Sequence, residues 1–328
     1  MSAVSCVLAL ASPGHQLGDA ERAAWLRIAP SIASIVAANG QTRGSVVLID
    51  ENGLFLAHQD VVTANNLTGQ LSDGRRIRLA LVASDSISQM VLLQAQPWTV
   101  GPRPLRVASN DIPRGTALIS SYGFSASRAE YVTGTRMAVV NTRFLPSSEL
   151  RFESAQASLT GTVLLTTDGQ IAGLLGAALE RVDASPTQFG ARSLLQSPTI
   201  AIPVPQRYQI GPAQMTVAYS VGTEVLQRVV AGFLSTDRQV LYPALGVQCL
   251  DNPGGGALIQ TVFAKSPAAK VGLQAGDILL EIGGSQVRNS VDFGRVMFGQ
   301  RPGTKVMLRL QRGGATVLQE VIIGAMKG

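Results

Sequence analysis

Few side chains in this 328-residue chain can act on a substrate unaided. It holds two histidines, His15 and His58, and two cysteines, Cys6 and Cys249. The cysteines lie far apart, so no disulfide framework is indicated. Cysteine and histidine never cluster at ligand spacing, so neither a metal nor another cofactor is expected. What remains is hydroxyl chemistry. The stretch Ala155-Gln-Ala-Ser158-Leu-Thr160-Gly161-Thr162 places three hydroxyl side chains in a run of small residues. A serine or threonine hydroxyl is a weak nucleophile unless a neighbouring base takes its proton. That base must come within hydrogen-bond reach.

Such a loop needs elements to hold it. Val163-Leu164-Leu165 reads as a short buried strand and Asp168-Gly169 as a two-residue hairpin turn, because glycine tolerates the positive φ of that turn. Ile171 to Leu175 is the returning strand. The whole chain has this character. Hydrophobic content of 46% against 15% charged predicts a well-buried core rather than disorder. Thirty-four glycines, sixteen prolines and few long helical periods favour a β-rich class. The length suffices for two domains. The formal charge of +6 contains no dense Lys/Arg run, so it reads as scattered solubilising charge and predicts no nucleic-acid partner. No apolar run approaches the ~20 residues that cross a bilayer as a helix.

Residues 1–13 form a short apolar run without a basic start, readable as the tail of a signal peptide or as a frayed terminus. Helical spacing follows over Asp19–Ile28, with Asp19 as the expected cap and Pro30 as the stop. A strand is expected at 31–36, hairpins at 44–56 and 71–82, and a proline-rich connection at 97–104. Tyr131–Val140 reads as a strand pair and Arg181–Pro198 as a loose polar loop. Gly222–Phe233 repeats apolar residues at helical spacing and reads as a linker helix.

Several of these segments resemble trypsin-like HtrA (DegP-type) proteases. Gly44-Ser-Val-Val-Leu-Ile-Asp-Glu-Asn-Gly-Leu-Phe-Leu56 is similar to the family's Gly-Ser-Gly-Phe-Ile-Ile-Asp-x-x-Gly-Tyr-Ile-Leu. The family continues Thr-Asn-Asn-His-Val-Val with its general base. Here Ala57-His58-Gln59-Asp60-Val61-Val62 follows, and the paired valines put Asp60 at the base position. Asp85-Ser-Ile-Ser-Gln-Met-Val-Leu-Leu93 is similar to Asp-x-x-Thr-Asp-Leu-Ala-Val-Leu, whose second aspartate orients the histidine; that position is Gln89. A neutral amide does not stabilise an imidazolium as a carboxylate does. Counted back from Asp168-Gly169, the nucleophile of Gly-Asn-Ser-Gly-Gly-Pro-Leu-Val falls on Thr160. Ser158 replaces a glycine of the oxyanion-hole loop, while Thr162 and Val163 replace Gly-Pro. His58 lies two residues from the base position, about 6–7 Å along an extended chain. His15 precedes the first barrel.

A second resemblance, to PDZ domains of the HtrA type, covers the C-terminal part. Ala244-Leu245-Gly246-Val247 matches three positions of the carboxylate-binding Tyr-Leu-Gly-Val, and Thr199-Ile-Ala-Ile-Pro-Val-Pro205 resembles the closing Gly-Phe-Ala-Ile-Pro strand before it. Ser266-Pro-Ala-Ala-Lys-Val-Gly-Leu-Gln-Ala-Gly-Asp277 follows Ser-Pro-Ala-x-x-Ala-Gly-Leu-x-x-Gly-Asp. The mode implied is β-augmentation: backbone N–H groups near Leu245, Gly246 and Val247 hold a terminal carboxylate, and the 247–250 edge pairs with an added strand. Leu245, Val247, Val291 and Met297 are the expected apolar pocket.

The expected architecture is mostly β. It comprises an N-terminal segment (1–28), a two-barrel chymotrypsin/trypsin-like domain (29–205), a linker with a helix (206–240) and a small α+β PDZ domain (241–328). The resemblance implies a pseudoprotease with no intact catalytic residue, acting as a polypeptide-binding scaffold or regulator. Its partners would be polypeptide C-termini or unfolded segments, with assembly as a homo-trimer or a mixed oligomer with active homologues. The compartment implied is extracytoplasmic, periplasmic or envelope. The alternative is an active serine-type endopeptidase with a rearranged site using Thr160 or Ser158 and His58.

Overall fold

In the computed structural model, residues 17–328 are described, apart from 38, 64–65, 99–100, 110–111, 141–142, 153–159, 177–179, 183–206 and 211–212. His15, Cys6, Ser158 and the strand expected at 199–205 therefore lie outside the described residues. Helix α1 spans Asp19–Ile28 as expected, but its cap is Gly18. Asp19 is the first helical residue, and the Glu21 carboxylate accepts from the Gly18 N–H at 2.5 Å. Pro30 sits in a 3-10 turn that converts the helix into a strand.

Six strands close the first barrel: β1 (Ile32–Val36), β2 (Thr42–Asp50), β3 (Leu54–His58), β4 (Asn66–Leu71), β5 (Arg76–Asp85) and β6 (Met90–Gln96), in the order β1-β2-β3-β6-β5-β4. Inward-facing Ala33, Ile35, Val46, Leu48, Phe55, Leu79 and Leu93 fill it. Closure removes every edge that a lone sheet would expose.

The second sheet holds β7 (Arg106–Val107), β8 (Ala117–Tyr122), β9 (Ser125–Val140), β10 (Arg143–Phe152), β11 (Val163–Thr166), β12 (Gln170–Leu174), β13 (Glu180–Val182), β14 (Arg207–Ile210) and β15 (Ala213–Val221). An isolated bridge between Leu175 and Ser220 joins the two flanks of this sheet, so it curls into a barrel-like form. The pair of strands expected at 131–140 is one 16-residue strand, β9, paired to β8 at one end and β10 along most of its length. Arg181 and Val182, expected in a loop, pair with β9. Residues 207–221, expected in the linker, carry two strands of this sheet; β15 pairs with β10 from Ser147↔Val221 to Phe152↔Thr216.

The linker is therefore shorter and begins with helix α2 (Thr223–Phe233). At eleven residues α2 is too short to be stable alone. It is held by packing: Val225, Leu226, Val229 and Phe233 are all buried in a core shared with α1 and both β domains.

The C-terminal module pairs β16 (Leu241–Ala244) with β23 (Gly324–Lys327). A sheet of β17 (Val247–Asp251), β18 (Ala257–Val262), β19 (Ile278–Ile282), β21 (Lys305–Arg312) and β22 (Ala315–Ile322) follows, with β20 (Ser285–Gln286) on β19. Helices α3 (Pro267–Lys270) and α4 (Ser290–Phe298) complete it. It has its own core, including Leu279, Ile282, Leu308 and Leu310.

Candidate functional site

Around Thr160–Thr162, the described end of the hydroxyl loop, the two barrels meet. Strand β3 ends at His58 and turns through Gln59–Val61. The Gln59 N–H donates to the Gln89 carbonyl at 2.8 Å. Gln89 is 6% exposed and sits at φ +62°, a left-handed conformation that few non-glycine residues adopt. On the opposite side Gly161 has φ +86°. A Cβ there would strike Val61 and lie 3.0 Å from the Arg43 carbonyl, so only glycine lets the loop come this close. The Ser45 N–H donates to the Gly161 carbonyl at 2.8 Å, and the Gly161 N–H donates to Leu175 at 2.8 Å. Asp60, Gln89 and half-buried Thr160 thus belong to one neighbourhood, tied by the 59–89 hydrogen bond and the 61–161 contact. Thr162 next door is fully buried, and its Oγ1 has no hydrogen-bond partner among the described residues.

His58 is elsewhere engaged. It is buried, with Nδ1 3.3 Å from the Asp60 N–H and 3.2 Å from the Asp60 carboxylate. Its ring lies against Gly176, where any Cβ would collide with Nε2. Nδ1 thus faces Asp60, while Nε2 lies beside Gly176.

The groove of the C-terminal module lies at the β17 edge. Strand β17 pairs with β18 on one side, and no strand covers its other edge among the described residues. Gly246, at φ +82°, precedes it; a Cβ there would collide with Ser266. The carbonyls of Leu245 and Gly246 accept from Ala268 and Phe263 at 2.9 and 3.0 Å. Their own N–H groups have no partner among the described residues. Of the expected pocket residues, Val247 and Val291 are half-buried, whereas Leu245 and Met297 belong to the module's core. Cys249 is half-buried on β17, and burial pushes its thiol up to about 12.

Two residues beside the groove were missed by sequence reasoning. Phe263 is 54% exposed next to Gly246, and Lys265 sits at φ +62°. Both fall just before the Ser-Pro-Ala signature, where the pattern constrains no side chain.

Residues 243–323 match the PDZ domain family. Over 294 residues the chain is 26% identical to "Probable periplasmic serine endoprotease DegP-like" of Pseudomonas fulva, covering 87% of this chain and 56% of that protein. Over 290 residues it is 26% identical to the periplasmic pH-dependent serine endoprotease DegQ of Escherichia coli, covering 85% and 59%. The chain spans about half the length of the curated relatives it matches. Among solved structures, the HtrA-type protease AlgW with a decapeptide aligns with a TM-score of 0.65 at 17% identity, over 93% of this chain and 98% of that one. The serine endoprotease of Yersinia pestis aligns with a TM-score of 0.60 at 17% identity, over 95% and 100%. In motif order, fold and C-terminal PDZ module, the chain is similar to the HtrA/DegP-type serine proteases that carry a PDZ domain.

Proposed function

We propose that this chain is a polypeptide-binding HtrA homologue that does not hydrolyse peptides through the inherited triad. The observation that supports this reading is that Asp60, Gln89 and Thr160, aligned with the triad positions by the motifs alone, lie in one neighbourhood. The base position carries a carboxylate, Asp60, and the nearby His58 ring is packed between Asp60 and Gly176, so in this reading nothing takes the Thr160 proton. Removing triad members one at a time already costs orders of magnitude, and the losses do not add. Binding remains. The uncovered β17 edge and the partner-free N–H groups at Leu245 and Gly246 suit the C-terminus of a polypeptide. The names of the relatives favour a periplasmic location; an envelope setting and roles as scaffold, regulator or quality-control component belong to the binding reading itself. A homo-trimer or a mixed oligomer with active homologues belongs to the same reading.

One observation favours a second reading: the relatives are described as active endoproteases. In that version Thr160 or Ser158 acts with His58. The Asp60 carboxylate 3.2 Å from His58 Nδ1 suits that role, whereas the packing of Gly176 against Nε2 weighs against it.

The two separate in one experiment. Purified protein is offered casein and a fluorophosphonate probe, and in parallel a panel of C-terminal peptides as free acids and as amides. Selective binding of the free acids without labelling or cleavage is the expected outcome. Labelling at Thr160 or Ser158, with cleavage abolished by His58→Ala, would install the second reading.

A further inference from the structure

Tyr242 lies on β16, the strand that leads into the PDZ domain, yet its hydroxyl donates to Asp85 of the first barrel, 157 residues away. Both are buried, Asp85 to 1% and Tyr242 to 3% exposure. The same carboxylate accepts from the Ser88 hydroxyl, and from the Ile87 and Ser88 N–H groups at 3.3 and 3.2 Å. Asp85 therefore braces the turn 86–89. That turn ends at Gln89, whose left-handed backbone needs its surroundings to hold it. The Gln89 carbonyl in turn receives the Gln59 N–H, inside the turn that carries Asp60.

On its other side Tyr242 packs against the PDZ domain's helix α4. Its ring packs on Phe298, the last residue of α4, with centroids 6.2 Å apart. The Arg228 guanidinium of α2 lies 5.9 Å from the Tyr242 centroid and 4.8 Å from that of Phe298. It donates to the Leu241 and Phe298 carbonyls at 3.1 and 3.0 Å. Gly328 also closes on Asp85, with its N–H on the Val240 carbonyl at 3.0 Å.

We propose that Tyr242 is a positioning residue: through Asp85 it ties the end of α4 in the PDZ domain to the turn carrying Gln89 and, beyond it, Asp60. A buried carboxylate that loses a donor keeps its desolvation penalty, so the turn cannot relax without cost when Tyr242 moves. Burial, then the Asp85 charge, push the Tyr242 phenol well above its ordinary value, so it stays a donor throughout the neutral range. The coupling holds whether or not the inherited site is active.

Amide hydrogen exchange on the full chain tests this. Tyr242→Phe keeps the ring and removes only the donor. Exchange at Ile87, Ser88 and Gln59 is expected to rise about tenfold or more, the effect of losing one charge-assisted hydrogen bond. The amides of Gly161 and Leu175, in the same site but off this route, should keep their protection. Asp85→Asn, which retains the side chain's size, should give the same pattern, and the double variant should add little. Exchange that rises only along β16 and β23, or evenly over the chain, would show a merely structural tyrosine and overturn the proposal. So would unchanged exchange at Gln59 in both variants.

Discussion

At the scale of the residue, the neighbourhood of Asp60, Gln89 and Thr160 could be read from the scaffold motifs that surround these positions. The paired valines after Asp60 and the Asp168-Gly169 turn set the register, and the fold brings the three positions into one place. What the sequence did not disclose is the setting of His58, which depends on Gly176, just past the end of β12. If, as proposed, no base serves the hydroxyl at position 160, Thr160→Ser should leave casein uncleaved. Measurable cleavage by that variant would contradict the proposed function. A second residue-scale prediction concerns Asp277, 1% exposed and gripped by Arg312 through two hydrogen bonds of 2.7 and 2.6 Å. Burial alone would raise its carboxyl. The Arg312 side chain and the Gln274 N–H outweigh that and hold it below the ordinary value. A carboxylate with a depressed folded value contributes stability that is present above about pH 3.9 and is lost as pH falls through the folded value. Asp277→Asn should thus cost about 2 kcal/mol at neutral pH. Urea midpoints of wild type and variant should converge as the pH is lowered below 3.9, and a constant gap would argue against this assignment.

At the scale of the element, hairpins and short helices were readable because their turn and cap residues are local. The hairpins at Gly53, Gly74 and Gly169 and the linker helix fell where periodicity placed them. Long-range pairing was not readable in the same way. Nothing near Tyr131 announces that β9 runs unbroken for 16 residues, because its continuity is set by β8 and β10 pairing on it. The strands at 207–221 were hidden likewise, since their partner β10 lies some seventy residues earlier. Gly294 is the instructive case. A glycine inside a helix costs about 1 kcal/mol relative to alanine, so propensity alone favours Gly294→Ala. The structure reverses that expectation. A Cβ at this position would lie 2.6 Å from the Phe144 Cβ of β10, and neither backbone can yield cheaply. Gly294→Ala should lower the melting temperature by several degrees, which corresponds to roughly 1–2 kcal/mol net. Combining it with Phe144→Ala, which opens the space, should cost less than the sum of the two single changes. Strict additivity in calorimetry would mean that the helix does not lean on Phe144.

At the scale of the whole molecule, the question is whether the PDZ domain behaves as an appendage or as part of one body. It has its own core, and neighbouring domains joined by small polar interfaces usually move independently. Here the join is neither small in consequence nor polar. Undocking would expose Phe298 at 7%, Tyr242 at 3% and Phe233 at 1%, all within the core shared by α1, α2 and both barrels. At about 1.5–3 kcal/mol per large side chain, as an upper figure, that approaches the stability of an ordinary domain. It would also strip the buried Asp85 carboxylate of a donor. Barrels, helix and PDZ domain should therefore unfold together, in one calorimetric transition whose van't Hoff and calorimetric enthalpies agree. Leu226→Ala probes the shared core directly, because Leu226 is fully buried on the linker helix and touches neither candidate site. Its loss should cost about 2–5 kcal/mol and move that single transition as a unit. Two separate transitions, with only the barrel one displaced, would show that the core ends at α2 and that the PDZ domain rides free of it.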